Sequence, residues 1–309
     1  MRDSSIKALI KLAGQDENVI LITADLGYGA FEEFSEKFPK QFINIGIAEQ
    51  NMIGVASGLA MEGKIVFVYS IGNFPTFRCL EQIRNDASYH ELNVNIICMG
   101  AGFSYGILGH SHHATEDISI MRSLPGISVI SPSTEYEAYW ATMNLANQKG
   151  TTYLRLDKSK VQKNGLVEKP FEIGMGSVLK EGNDYSIISC GSITDEALTA
   201  ALSLEKNKIS CRVISLHTIK PIDLSIIKDC IKNSKGIITL EEGNIYGGLG
   251  SAVLEAFAKI GNFPYRFKML GIEDFYVKKV GSQMFLRTYI GLSKEAIEDI
   301  IISWEKAKE

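Results

Sequence analysis

Residues 42–61, FINIGIAEQNMIGVASGLAM, hold a short β-branched run that ends at Ile45, a glycine at position 46, and a stretch from Ala48 to Met61 with the character of a helix. A strand that turns through glycine straight into a helix is one half of a βαβ unit, which implies a parallel sheet. The same unit recurs on both sides. NVILITADLG, KIVFVYS, VNIICMG, ISVISP and TTYLRLD read as strands, with helices over Ala48–Met61, around Thr76–Ala87 and over TEYEAYWATMNLANQ. The strand runs are continuously apolar, as a sheet covered by helices on both faces requires.

After LRLDKSKVQKNGLVEKP, where charge density rises and the apolar signal fades, a second series begins. It comprises DYSIISCG, a helix from Thr194, ISCRVISL, PIDLSIIKDCI with proline at a helix start, GIITLEEG, GGLGSAVLEAFAKIG, FKML and a last helix from Ser293. A chain of 309 residues exceeds the usual single core. The expected fold is therefore α/β with two doubly wound domains, residues 1–168 and 169–309, each a mostly parallel sheet with helices on both faces.

Composition narrows the function. A net charge of −4 offers no basic surface for nucleic acid, and no apolar run approaches the ~20 residues of a membrane span. The N-terminal MRDSSIKALIKLAG reads as an amphipathic helix and lacks the apolar core of a signal peptide. Five cysteines, none in a CxxC pair, point to a reduced, cytoplasmic setting.

In doubly wound sheets ligands bind beyond the carboxyl ends of the strands. Four loops there carry unusual residues: ADLGYG, GIAEQN, SIGNFPTFR and GAGFSYGILGHSHH. Glu49, in the second, could simply complement the dipole at a helix start. Its neighbours Ile45, Ile47, Ala48 and Met52 suggest instead a desolvated carboxylate, whose raised pKa would let it share a proton. His110, His112 and His113 suit proton transfer or hydrogen bonding to an oxygen-rich substrate, or are solvated loop residues. Adjacent His112 and His113 cannot easily turn both rings to one metal ion, so no metal site is expected. Phe74 and Phe77 are either core or a platform for a planar heterocycle. GGLGSAV, residues 247–253, has the glycines of a phosphate loop without its lysine, and close helix packing explains it better.

In this order and spacing, ADLGYG, FINIGIAEQNMIGVASGLA, SIGNFPTFRCLEQIRND, GHSHHATEDISIMRSLPGISVISPSTEYEA, YLRLDK and EEGNIYGGLGSAV resemble the C-terminal half of transketolase-like thiamine diphosphate enzymes. The resemblance implies a pyrimidine-binding domain followed by a transketolase C-terminal domain. Such enzymes bind the diphosphate and Mg²⁺ through another domain, marked by Gly-Asp-Gly and a later Asn, and this chain contains no Gly-Asp-Gly. A second subunit would supply it, in an α2β2 heterotetramer. The glutamate matching Glu49 hydrogen-bonds the aminopyrimidine and promotes the imino tautomer that deprotonates the thiazolium.

By the same resemblance Asp25, Leu26 and Arg78 join Glu49 in the cofactor pocket, with Phe74 stacked on the pyrimidine and Phe77 as the alternative. Arg2 and Lys158 match phosphate-binding positions, Lys158 standing where an arginine is usual. His112, flanked by His110 and His113, matches the catalytic histidine that binds donor oxygens. Where the family has Gly-Glu-Asp-Gly, this chain has Gly106-Ile-Leu-Gly109, and Leu108 cannot accept a hydrogen bond from a donor hydroxyl. Transfer of a two-carbon ketol or acyl unit between substrates other than the ordinary pentose phosphates is the expectation. The alternatives are the β subunit of a 2-oxo acid dehydrogenase E1 component, against which EDISIMRSLPGI and GNIYGG weigh, and a non-catalytic scaffold.

Overall fold

A computed structural model of the chain describes residues 1–158 and 170–307, so the expected boundary at 168/169 lies outside the described residues. The strands are β1 (Val19–Thr23), β2 (Phe42–Asn44), β3 (Ile65–Ile71), β4 (Val94–Met99), β5 (Ser128–Ile130) and β6 (Thr152–Leu156). They continue as β7 (Ser177–Lys180), β8 (Tyr185–Ser189), β9 (Cys211–Ser215), β10 (Thr218–Lys220), β11 (Ile237–Asn244) and β12 (Phe267–Ile272). One sheet has the order β10-β5-β6-β4-β3-β1-β2, the other β12-β11-β8-β9-β7. All pairings are parallel except β10 with β5 and β7 with β9. Strands β1, β4 and β6 are buried at every residue, which accounts for their unbroken apolar runs.

The register brings the strand ends together. Thr23 pairs with Asn44 and Tyr69, Ile71 with Met99, and Met99 with Leu156. The loops after β1, β2, β3, β4 and β6 therefore leave one edge of one sheet. Strand β10 comes from the second half of the sequence yet extends the first sheet. A shared core runs from Ile22, Val68 and Tyr153 to Ile188, Ile214 and Val253, so the two halves of the chain are joined by strand pairing and by packing.

Two local readings are corrected and a third is kept. The helix expected from Thr76 starts at Asn73 (Asn73–Arg78), because Pro75 sits in the first turn, where its missing N–H costs nothing; the segment continues through Leu80–Gln82 into a π-helix, Ile83–Ser88. Asp223, and not Pro221, starts the helix Leu224–Asn233, its carboxylate accepting from the N–H groups of Ser225 and Ile226. At the GGLG turn, the Glu241 carboxylate accepts from Leu249 N–H and Gly250 N–H, each at 2.8 Å. Amides that could bind a phosphate are already satisfied from within, in keeping with the packing explanation.

Glu137 caps the helix Glu135–Leu145 at the seam between the sheets, accepting from Ser133 N–H at 2.7 Å and from the Ser215 hydroxyl at 3.0 Å. Burial pushes its carboxyl up to about 7, the hydrogen bonds opposing. The folded state thus holds a proton that the unfolded chain releases near the ordinary carboxylate value of about 4.3. Stability from this group is complete below that value and is lost as pH rises through about 7. Glu137→Gln is expected to flatten the fall in melting temperature between pH 5 and pH 8, measured by scanning calorimetry; an unchanged slope would assign the pH dependence elsewhere.

Candidate active site

Gly46, at φ +74°, turns the chain from β2 so that the helix Glu49–Met61 starts at once with Glu49, which is only 5% exposed. The expected apolar setting is only half right. Met52, three positions on in the same helix, is fully buried, but Ile47 points outward at 80% exposure. A cation completes the site: Arg78 Nη1 lies 3.1 Å from Glu49 Oε1. That pairing spans 29 positions of sequence, so no local pattern could reveal it. Among the described residues no other side chain hydrogen-bonds the carboxylate, which leaves it an oxygen for an outside donor.

Asp25 adopts a left-handed conformation (φ +54°) after β1 and accepts hydrogen bonds from the Tyr28 hydroxyl at 2.6 Å and Asn44 Nδ2 at 3.2 Å, which hold its carboxyl below the usual range. The Asn44 side-chain oxygen in turn accepts from Asp25 N–H at 3.0 Å and Gly46 N–H at 3.1 Å. One exposed asparagine thus ties the Asp25–Leu26 loop to the turn that presents Glu49. The sequence offered no signal for it beyond its place at a strand end.

From Glu49 a continuous set of contacts leads along the sheet edge. The Arg78 guanidinium lies 4.3 Å over the Phe74 ring, and His112 meets Phe74 edge-on at 5.4 Å. Tyr105 meets His112 at 6.3 Å and carries the Lys158 ammonium 4.0 Å over its own ring. Lys158 lines a cavity of about 400 Å³ with Met1, Arg2, Asp3, Met99 and Glu135. Arg2 is partly engaged there by Asp3 at 3.0 Å. A carboxylate stands at one end, a cation-bearing cavity at the other, and aromatic rings and a histidine lie between. Tyr105, which joins the two halves, escaped the sequence reading because a lone loop tyrosine carries no pattern.

The three histidines separate. His112 is half-buried on this run, its pKa lowered by desolvation, with Nδ1 3.0 Å from the Ser111 hydroxyl. His113 is buried behind the loop against Phe103, and its Nε2 has no hydrogen-bond partner among the described residues. His110 is exposed and meets Tyr276 of the second half at 4.8 Å. Asn73 fixes the loop's inner side, donating to the carbonyls of His113 at 2.6 Å and Ser111 at 3.2 Å.

Residues 1–163 match the model of the transketolase pyrimidine-binding domain, and residues 174–297 that of the transketolase C-terminal domain. The chain belongs to the transketolase family. It is 39% identical over 312 residues to a putative transketolase C-terminal section of Methanocaldococcus jannaschii, covering 100% of this chain and 97% of that one. It is 33% identical to one subunit of the apulose-4-phosphate transketolase of Phocaeicola vulgatus, covering 96% and 94%. Among solved structures, a split-gene transketolase described as an inactive β4 tetramer matches with a TM-score of 0.89 at 33% identity, over 100% of this chain and 99% of that one.

Transketolase family membership implies thiamine diphosphate, and the residues present fit its aminopyrimidine. Glu49 is a desolvated acceptor with an uncommitted oxygen, and Phe77, next in sequence to the Glu49 partner Arg78 and one helical turn from Phe74, keeps a large ring 48% exposed. Among the described residues no group of three or more His, Cys, Asp or Glu side chains is arranged to hold a metal ion, and no helix is long and apolar enough to cross a membrane.

Proposed function

We propose that this chain is the pyrimidine-binding and C-terminal half of a split transketolase, which moves a two-carbon ketol unit from a ketose or 2-keto donor to a carbonyl acceptor. The run of contacts from Glu49 to the Arg2–Lys158 cavity carries this reading. Thiamine diphosphate, when bound, supplies a thiazolium carbon nucleophilic towards the donor carbonyl. Glu49 shares a proton with the aminopyrimidine, and Arg78 holds its carboxylate in place. Phe77 is the stacking ring, because the Arg78 guanidinium already covers Phe74. Asp25 and Leu26 line the cofactor pocket. His112, kept neutral by desolvation, accepts hydrogen bonds from donor hydroxyls and can take up their protons.

The diphosphate and Mg²⁺ belong to a second subunit with the Gly-Asp-Gly segment, in an α2β2 assembly; that the Phocaeicola vulgatus relative is named as one subunit of its transketolase supports this. On the exposed face of Glu49–Met61, Gly54 and Gly58 have open space before them, room for a partner helix to approach closely. All five cysteines are free and buried, which supports a cytoplasmic setting. Leu108 is 52% exposed, presenting an apolar surface where the family reads a hydroxyl, and this disfavours the ordinary pentose phosphates. The name of the same relative fits a donor ending in phosphate, with Arg2 and Lys158 as its anchors.

Arg2→Ala is expected to raise KM for a phosphorylated ketose by about tenfold with little change in kcat, the mark of lost uniform binding. KM for hydroxypyruvate, which has no phosphate, should hardly move; equal effects on both would place Arg2 elsewhere in the reaction. The reading as a whole is tested by assembling the chain with its partner subunit, thiamine diphosphate and Mg²⁺ and detecting a new C–C bond. Reduction of a dye from pyruvate or a branched 2-oxo acid, without ketol transfer, would point to an E1 component instead.

A further inference from the structure

The loop from Gly100 to His113, which carries Tyr105 and His112, follows β4, but the groups that hold its root come largely from the second half of the chain. Phe103 N–H donates to the Glu242 carboxylate on β11. Gly102 is left-handed at φ +54°, and a Cβ there would run into that same carboxyl, so backbone and acid meet with no room for a side chain. Ser104, the next residue along, donates its hydroxyl to Asp157, the neighbour of Lys158.

Glu242 and Asp157 are both buried, and one buried guanidinium serves the two: Arg287 Nε pairs with Glu242 while its Nη2 lies 3.7 Å from Asp157. Gln283 joins them, its Nε2 donating to Glu242 Oε1 at 2.9 Å and to Asp157 Oδ2 at 3.1 Å. Arg287 Nη2 also donates to the Ser192 hydroxyl at 2.7 Å, and that hydroxyl donates to Asp157. Further along the loop, Gly281 N–H reaches the Gly106 carbonyl at 3.3 Å.

We propose that Glu242, Gln283 and Arg287 are positioning residues, through which the C-terminal domain braces the loop that presents His112 and the segment that presents Lys158. These bonds run to the root of the loop and to the residue before Lys158, and none runs to Glu49 or Arg78. The brace therefore acts on the donor end of the site and not on the cofactor end. It rests on the ketol-transfer reading for its catalytic consequence, but not for its geometry. Buried charged networks of this kind fix one arrangement, since any other leaves a charge without its partner.

The test is Gln283→Leu in the chain assembled with its partner subunit. Gln283 is only partly buried, and the change removes the donor shared by both carboxylates without adding charge. Amide hydrogen exchange across residues 100–113 is expected to quicken about tenfold, while Glu49–Met61, β8 and β11 stay unchanged. With hydroxypyruvate as donor, KM should rise about fivefold, while exchange of the thiazolium C2 proton stays within about twofold of the unmodified assembly. Unchanged exchange in residues 100–113, or an increase spread evenly over the chain, overturns the brace. If the unmodified assembly transfers no ketol unit, the reaction assigned above fails, and the hydrogen-exchange comparison still decides the brace.

Discussion

Glu49→Gln is expected to abolish ketol transfer, by about 10³-fold or more, and to leave the assembly with the partner subunit intact; loss of a positioned acid or base commonly costs 10²–10⁴-fold. Glutamine keeps the length and shape of the side chain and can still accept a hydrogen bond. What it cannot do is take a share of a proton from a ring nitrogen. The stability consequence is small by comparison. Arg78 is half exposed, and an ion pair with one partner in solvent contributes about 0–1 kcal/mol. Gel filtration and melting temperature should therefore match the unmodified protein while turnover and thiazolium C2 exchange collapse together. Activity near the unmodified level would remove Glu49 from the chemistry and favour a scaffold. Loss of assembly together with activity would show that the carboxylate holds the subunits and not the proton.

How much of this was legible beforehand depended on distance along the chain. The strands showed themselves as unbroken apolar runs, and the glycine turn into Glu49 is a local signal. Position-by-position likeness to a family singled out Asp25, His112 and Lys158 as candidates, and the contacts of Tyr105 link the last two. The illegible parts are non-local. A three-residue strand such as β10 is too short to show a period, so nothing announced that the second half would complete the first sheet. Asn73 looked like loop because Pro75 follows, yet a proline in a first turn is as much a helix start as a break. The partners of Glu49 and Glu242 lie 29 and 45 positions away, and a charge in sequence says nothing of the charge it will meet.

GGLGSAV shows the reverse case, in which a local pattern suggests more than the fold provides. Glycines before a helix are compatible with a phosphate loop and with tight packing alike. The difference lies in Glu241, whose carboxylate occupies the amides and is pushed up to about 7 by burial. A Cβ at Gly250 would press on Met269 and Thr239, so the glycine serves contact with the neighbouring strands. His113 is similar: its place beside His112 suggested a shared role, but the loop's turn sends it inward against Phe103.

Asp117→Ala is the substitution expected to cost most stability, about 3–5 kcal/mol, because it breaks a buried ion pair from one side. Asp117 is fully buried, and its Oδ2 accepts from Arg155 Nε at 2.7 Å and from the Tyr153 hydroxyl at 2.7 Å. Arg155 is itself buried and donates through Nη2 to the Ala114 carbonyl at 2.7 Å and the Glu242 carbonyl at 3.0 Å. The guanidinium therefore ties the end of the histidine loop to β11, and Asp117 is the charge that lets it sit there. Without the carboxylate, a buried cation loses its direct ion-pair partner and keeps the two carbonyl bonds and the more distant Glu241 carboxyl. Asp117→Asn keeps an oxygen for both donors and should lose less. Asp117→Ala combined with Arg155→Met removes the stranded charge and should recover part of the loss, though the Glu242 carbonyl then loses the guanidinium and the Ala114 carbonyl is left with Gly102 N–H. Urea denaturation of the three variants checks the order. A double variant less stable than Asp117→Ala would mean that the carbonyl bonds of Arg155, and not its charge pairing, hold the two halves together.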